Sequence, residues 1–155
     1  MNEHSFVKSI HRSLPPQIYR WKIHDTYTAG VPDAMYAGPK GILFVEYKWI
    51  NLPKRDTTNI SLGLSALQIN WLDRFHLYGH SVMVAAGSTH GVLALSDKCW
   101  LNSFNNSQIK ELSVTKADYT QLILECTHGG GNNGHPKYSL GVEPRKVKGK
   151  ETTKL

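Results

Sequence analysis

The chain has 155 residues, 40% of them hydrophobic, with a formal charge of +6 and a pI near 9.3; this is the length and apolar content of one domain with one core, and its positive balance calls for an acidic partner, nucleic acid foremost. Two cysteines only, Cys99 and Cys126, and a start without an apolar leader argue against a disulfide-stapled secreted protein and for a reducing cytoplasmic setting. The longest strongly apolar runs, Gly41 to Val45 and Ser81 to Gly87, are far too short to span a bilayer, which excludes membrane insertion as a working hypothesis.

The opening segment from Asn2 to Leu14 reads as an amphipathic helix, with Asn2 as its cap, Phe6, Val7 and Ile10 on one face, and Pro15-Pro16 as its stop. Tyr19 to His24 alternates Tyr19, Trp21 and Ile23 with Arg20, Lys22 and His24. That period of two predicts a half-exposed strand whose basic residues line the open face. Pro32 to Ala37 and Gly41 to Trp49 are two apolar runs joined by Gly38-Pro39-Lys40-Gly41, a hairpin by composition.

The polar stretch from Asn51 to Ser61, with Lys54 and Arg55, predicts an exposed basic loop. Ser65 then stands in capping-box relation to Gln68, and Leu67, Trp71, Leu72 and Phe75 form the apolar stripe of a second helix closed by Gly79. Ser81 to Ala86 and Gly91 to Leu95 predict a second strand pair. Beyond Leu95 the pattern weakens, although Thr115 and Asp118 can cap a last helix burying Tyr119, Leu122, Ile123 and Cys126. The domain expected on these grounds spans 1–126, with its core in 1–95, followed by a Gly-rich and basic segment at 127–155 that is partly flexible in composition.

The chemistry concentrates on the hairpin. If Pro39 and Lys40 form its loop, Gly38 faces Gly41 and the register sets Asp33 opposite Glu46 on one face of the sheet. Two carboxylates that close repel one another unless a dication lies between them, and hard oxygen ligands suit magnesium. Lys48, two residues beyond Glu46, emerges on the same face. Two acids and an amine in one patch suit metal-assisted hydrolysis of a phosphodiester, in which an ammonium orients the nucleophile or offsets developing charge. Against this stand plainer readings: a turn aspartate, a solvated strand glutamate, a first-turn Glu3 favoured by the helix dipole alone, and a Gln68 that only caps its helix.

Gly30-Val31-Pro32-Asp33 followed by Phe44-Val45-Glu46-Tyr47-Lys48 resembles the PD-(D/E)XK nuclease superfamily. The order Glu3, Asp33, Glu46, Lys48, Gln68 is similar to that of its phage and virus-type replication-repair branch. The resemblance implies an α/β fold with an αβββαβ restriction-endonuclease-like core, a mixed central sheet flanked by helices, and hydrolysis of DNA with magnesium or manganese. It further implies that Asp33 and Glu46 hold the metal with the Tyr47 carbonyl, that Lys48 positions the attacking water, and that Glu3 and Gln68 support the site. The expected role is a phage-encoded junction-resolving nuclease of DNA recombination, replication or repair, working in the host cytoplasm; a site-specific homing endonuclease and a non-catalytic DNA-binding module are the alternatives. Arg20, Lys22, His24, Lys54 and Arg55 are the candidate DNA contacts, and a homodimer is expected because cutting two strands needs two sites.

Overall fold

The structure is a computed structural model that describes residues 1–130, so most of the Gly-rich and basic segment expected at 127–155 lies outside the described residues. Helix α1 (Glu3–Ser13) begins where expected: Asn2 Oδ1 accepts the Ser5 amide at 2.9 Å, and the Asn2 amide donates to Ser5 Oγ at 3.0 Å. It ends at Leu14, extended at ψ 138°, because a residue before proline is driven out of the helical region. Phe6, Val7 and Ile10 form its buried face.

Strands β1 (Tyr19–Lys22), β2 (Ala34–Gly38) and β3 (Gly41–Trp49) make an antiparallel meander. The β2–β3 hairpin has the expected register, Gly38 against Gly41 and Ala34 against Val45. After a two-residue β4 (Asn59–Ile60), helix α2 (Ala66–Leu77) crosses over to β5 (Ser81–Ser88), which runs parallel to β3; β6 (Gly91–Leu95) returns antiparallel to β5. The five-stranded mixed sheet therefore has the order β1-β2-β3-β5-β6, and with β4 set aside the elements follow the αβββαβ order. Gly87 and Ser88, expected in the turn after β5, belong to the strand, which leaves Thr89 and His90 as the turn.

Two details of this half differ from the sequence-based reading. The alternation on β1 does not separate a covered face from an open one: Tyr19 is 61% and Trp21 50% exposed beside the expected exposed Lys22 and His24, whereas Arg20 pairs with Tyr36 and turns towards α1. There its guanidinium donates to the carbonyls of His11, Leu14 and Pro15. Pro15-Pro16 ends α1 without a continuing donor, and the arginine satisfies the carbonyls left over. On α2, only Leu72 is fully buried; Trp71 and Phe75 are half-buried and stacked with centroids 3.7 Å apart, and Leu67 is exposed.

The chain beyond Leu95 is more ordered than its pattern indicates. β7 (Phe104–Asn105) pairs with β4, so the loop from Asn51 to Ser61 is fastened at one end, and Asn106 Nδ2 donates to the Pro53 carbonyl at 3.2 Å and to Asp56 Oδ1 at 3.1 Å. Helix α3 (Asn106–Leu112) contributes Ile109 to the core on the α2 side. Helix α4 (Lys116–His128), capped by Thr115 as expected, lies with α1 on the opposite face and buries Tyr119, Leu122 and Ile123 against β2 and β3, while Cys126 stays half-buried. Its end grips the hairpin. The Lys40 amide donates to the Thr127 carbonyl at 2.8 Å, and a Cβ at Gly38 would lie 2.4 Å from the His128 ring. Helix α4 itself runs to His128, across position 126.

Candidate active site

The side chains of β3 alternate, so Leu43, Val45 and Tyr47 point to the α1/α4 core while Phe44, Glu46 and Lys48 point to the α2 side. Asp33 lies one residue before β2, where its carbonyl accepts the Ile23 amide at 2.8 Å and extends the β1–β2 pairing. Its Oδ2 accepts the backbone amide of Tyr47 at 2.8 Å. The hairpin register carried one step beyond Ala34–Val45 sets Asp33 against Glu46, and one step further sets Pro32 against Tyr47. Proline has no N–H to give, so β2 offers the Tyr47 carbonyl no ladder donor from that position. A residue's amide and carbonyl project to the same edge of a strand, and this carbonyl therefore points to the edge where Asp33 sits.

Glu46 is only 1% exposed. Its Oε1 takes two donors, the Lys48 ammonium at 2.9 Å and the Gln68 side-chain amide, while its Oε2 is buried with no hydrogen-bond partner among the described residues. Burial and then the neighbouring Asp33 push the Glu46 carboxyl up to about 7, against the pull of Lys48. Asp33 is raised as well, again by burial first, with the Tyr47 amide and Lys48 opposing. Gln68 comes from the first turn of α2 and serves twice: its Oε1 accepts the Ser65 amide at 2.9 Å in the capping box, and its Nε2 reaches Glu46. Glu3 stands at the start of α1 within electrostatic reach of Lys48, Asp33 and Glu46; desolvation raises its pKa, and Lys48 and the Trp49 amide counter it.

Asp33, Glu46, Lys48, Gln68 and Glu3 are thus gathered at one end of the β2–β3 hairpin. The basic residues are not a single group. Lys22 is at the rim, its Nζ 3.4 Å from His4 Nδ1, and His24 is exposed; Arg20 spends its donors on α1; Lys54 and Arg55 are exposed on the loop tethered to Asn106. Pro32 and Gly30 acquire roles that the sequence reading did not single out. Gly30, at φ +85°, is so close to α2 that a Cβ would lie 2.5 Å from the Leu67 carbonyl oxygen, and it fixes the loop entering Asp33 against the turn that carries Gln68.

Behind the site, hydroxyls form a buried chain. Tyr119 donates to Tyr47 at 3.2 Å, Tyr47 and Tyr36 are 2.7 Å apart, and Tyr36 is 2.8 Å from His11 Nε2. With Tyr119 as first donor, every hydroxyl finds an acceptor if His11 is neutral and accepts at Nε2. Burial, then Arg20 and Lys22, lower the His11 pKa and favour that neutral state. This chain anchors the side chain whose backbone holds Asp33.

No group of three His, Cys, Asp or Glu side chains converges among the described residues. A hard cation with strong hydration needs fewer, because magnesium keeps several waters and is held through one or two carboxylates. Asp33, Glu46 and the Tyr47 carbonyl fit that requirement, and the partnerless Glu46 Oε2 supplies a buried acceptor. No protein-family model matches the chain, and no curated protein matches it. Among solved structures it is similar to Hjc, a Holliday junction resolvase from the archaeal hyperthermophile Archaeoglobus fulgidus, with a TM-score of 0.48 and 14% identity over 77% of this chain and 96% of that one.

Proposed function

We propose that the chain is a metal-dependent endonuclease that hydrolyses DNA phosphodiester bonds. The observation that carries this reading is the buried Glu46 carboxylate, whose Oε1 accepts from Lys48 and Gln68 while Oε2 has no hydrogen-bond partner among the described residues, with Asp33 opposite on the hairpin. An unpaired oxygen in that position costs stability unless a ligand uses it.

Asp33, Glu46 and the Tyr47 carbonyl would hold a magnesium ion, or manganese in its place. When bound, such an ion polarises the scissile phosphate and lowers the pKa of its water. Gln68 keeps Oε1 of Glu46 occupied and so would leave Oε2 for the ion. Lys48, half-buried beside Glu46, would orient the attacking water and offset charge on the phosphate as its bond breaks. Glu3 supports the same patch from α1. DNA as substrate rests on the net charge of +6 and on exposed Lys22, His24, Lys54 and Arg55. The resemblance of the hairpin motif to phage and virus-type replication-repair nucleases favours branched DNA and a place in recombination, replication or repair. Opposed cuts in two strands call for two sites, hence a homodimer.

The test is cleavage of a supercoiled plasmid and of a synthetic four-way junction by the native protein and by Glu46→Ala, with magnesium or with EDTA. Metal-dependent cutting by the native protein alone supports the proposal, and preference for the junction supports its branched substrate. Selective cutting of one duplex site would instead mark a homing enzyme. DNA binding by folded native protein without any cleavage would reduce the chain to a binding module.

A further inference from the structure

On the sheet face turned towards α2, the register places Tyr19, Ala37 and Ile42 in one cross-strand row and Trp21, Met35 and Phe44 in the next. Trp71 and Phe75 of α2 cover Phe44, with ring centroids 5.2 and 5.9 Å away. Nothing described covers the outer part. Tyr19 is 61%, Trp21 50% and Ile42 49% exposed, and Tyr78, next to Phe75, is 62% exposed. An aromatic side chain buries roughly 150–250 Å² when covered, so this face leaves on the order of 300 Å² of apolar surface open, the size of the largest patch on an ordinary soluble protein, which is often a functional one.

Charge decides what kind of partner. None of the six residues in the two rows is charged, and the cations of the same strand are elsewhere: Arg20 is on the opposite face against α1, and Lys22 reaches His4. A DNA surface requires cations facing the phosphates, which these two rows do not present. A second copy of the chain has the converse requirement. Two molecules that each carry +6 repel, and they approach at least cost where neither presents charge. A standard interface buries about 800 Å² per partner around an apolar, aromatic-rich centre, and the open patch is of the size and composition of such a centre.

We propose that this face is where two copies of the chain meet, in an isologous dimer with Tyr19, Trp21 and Ile42 at its centre. In such a dimer the same patch serves both protomers. The row beyond Trp21 and Phe44 contains Asp33 and Glu46, so each carboxylate pair lies beside the joint. The inference does not depend on the catalytic reading and can fail or hold without it.

Sedimentation equilibrium of the full chain, beside Trp21→Ser and Ile42→Thr variants with native melting temperatures, tests it. The expected result is a native dimer whose self-association weakens by roughly thirtyfold or more in Trp21→Ser, the loss typical of a central aromatic anchor. If Trp21→Ser does not fold, Ile42→Thr at the strand end carries the test, with weakening in the same direction. A native monomer at the highest soluble concentration overturns the proposal, as does a dimer unaffected by folded variants. A native monomer whose Trp21→Ser variant binds duplex DNA less tightly assigns the face to nucleic acid and likewise overturns it.

Discussion

The backbone amide of Tyr47 lies 2.8 Å from Oδ2 of Asp33, so the residue between Glu46 and Lys48 fixes the acid that faces them. The strand orients its own counterpart across the hairpin. Replacing Asp33 by Asn keeps an acceptor for that amide, and replacing Glu46 by Gln keeps the volume at a fully buried position, which makes both substitutions tests of charge. We expect each to reduce magnesium-dependent cleavage by on the order of a hundred- to a thousandfold or more while leaving DNA binding in EDTA within about threefold. Parallel loss of binding and cleavage would assign these acids to the fold.

Gln68 joins a cap to the site, and two variants separate the roles. Ser65→Ala removes the cap acceptor for the Gln68 amide and leaves the Gln68 side chain beside Glu46; it should cost about 1 kcal/mol and change cleavage little. Gln68→Ala loses the cap partner and also strips a donor from a buried carboxylate, with an expected cost of about 2–3 kcal/mol and a further drop of about tenfold in cleavage. Urea unfolding and single-turnover cleavage read the two effects. Equal activity losses in both variants would mean that Gln68 acts through the helix alone.

Gly30 and Gly63 are both left-handed, at φ +85° and φ +69°, but they differ in surroundings. A Cβ at Gly63 meets nothing within 4 Å, so Gly63→Ala should cost about 1 kcal/mol of backbone strain. At Gly30 the same methyl strikes the Leu67 carbonyl, and the loop or the first turn of α2 must move. Gly30→Ala should therefore destabilise by about 2–4 kcal/mol and reduce cleavage beyond what stability explains, because Asp33 and Gln68 flank the contact. Melting curves with single-turnover rates on the folded fraction check this.

Much of the site was legible because it depends on local rules. The hairpin register followed from a two-residue loop, and that register placed Asp33 and Glu46 together; the caps at Asn2, Ser65 and Thr115 were visible in residue type and spacing. The orientation of β1 was not, since alternation gives a period without a sign. Which face is covered depends on the reach of α2 and on the demand of the α1 carbonyls for Arg20, both set by distant segments. β4 and β7 are two residues each, too short to carry a period, and the pairing that makes them strands spans more than forty residues of chain. The role of Pro32 was hidden for another reason: a missing donor has no signature until its partner on the neighbouring strand is known.

Buried Glu46, with Asp33 and Glu3 raised in the same direction, and half-buried His11 give the metal-free protein opposed responses to pH. Glu46 is held at about 7 against an ordinary 4.5, so between those values the native state keeps a proton that the unfolded chain releases, and stability falls as pH rises through that window. The full effect is on the order of 3 kcal/mol above pH 7. His11 is lowered from 6.5, so its contribution is complete above 6.5 and is lost as pH falls through the lower native value, when protonation at Nε2 takes away the acceptor of Tyr36 and reverses the hydroxyl chain. Native protein should therefore show a shallow stability profile, and Glu46→Gln should remove the largest falling component and tilt the profile towards the His11 slope, exceeding the native protein at pH 8. On the proposed reading, magnesium would bind the ionised carboxylate and compete with its proton. Its stabilising shift in melting temperature should be small at pH 5.5, grow through pH 7, and be absent in Glu46→Gln. A magnesium shift that is independent of pH, or that persists in the variant, would place the cation away from Glu46.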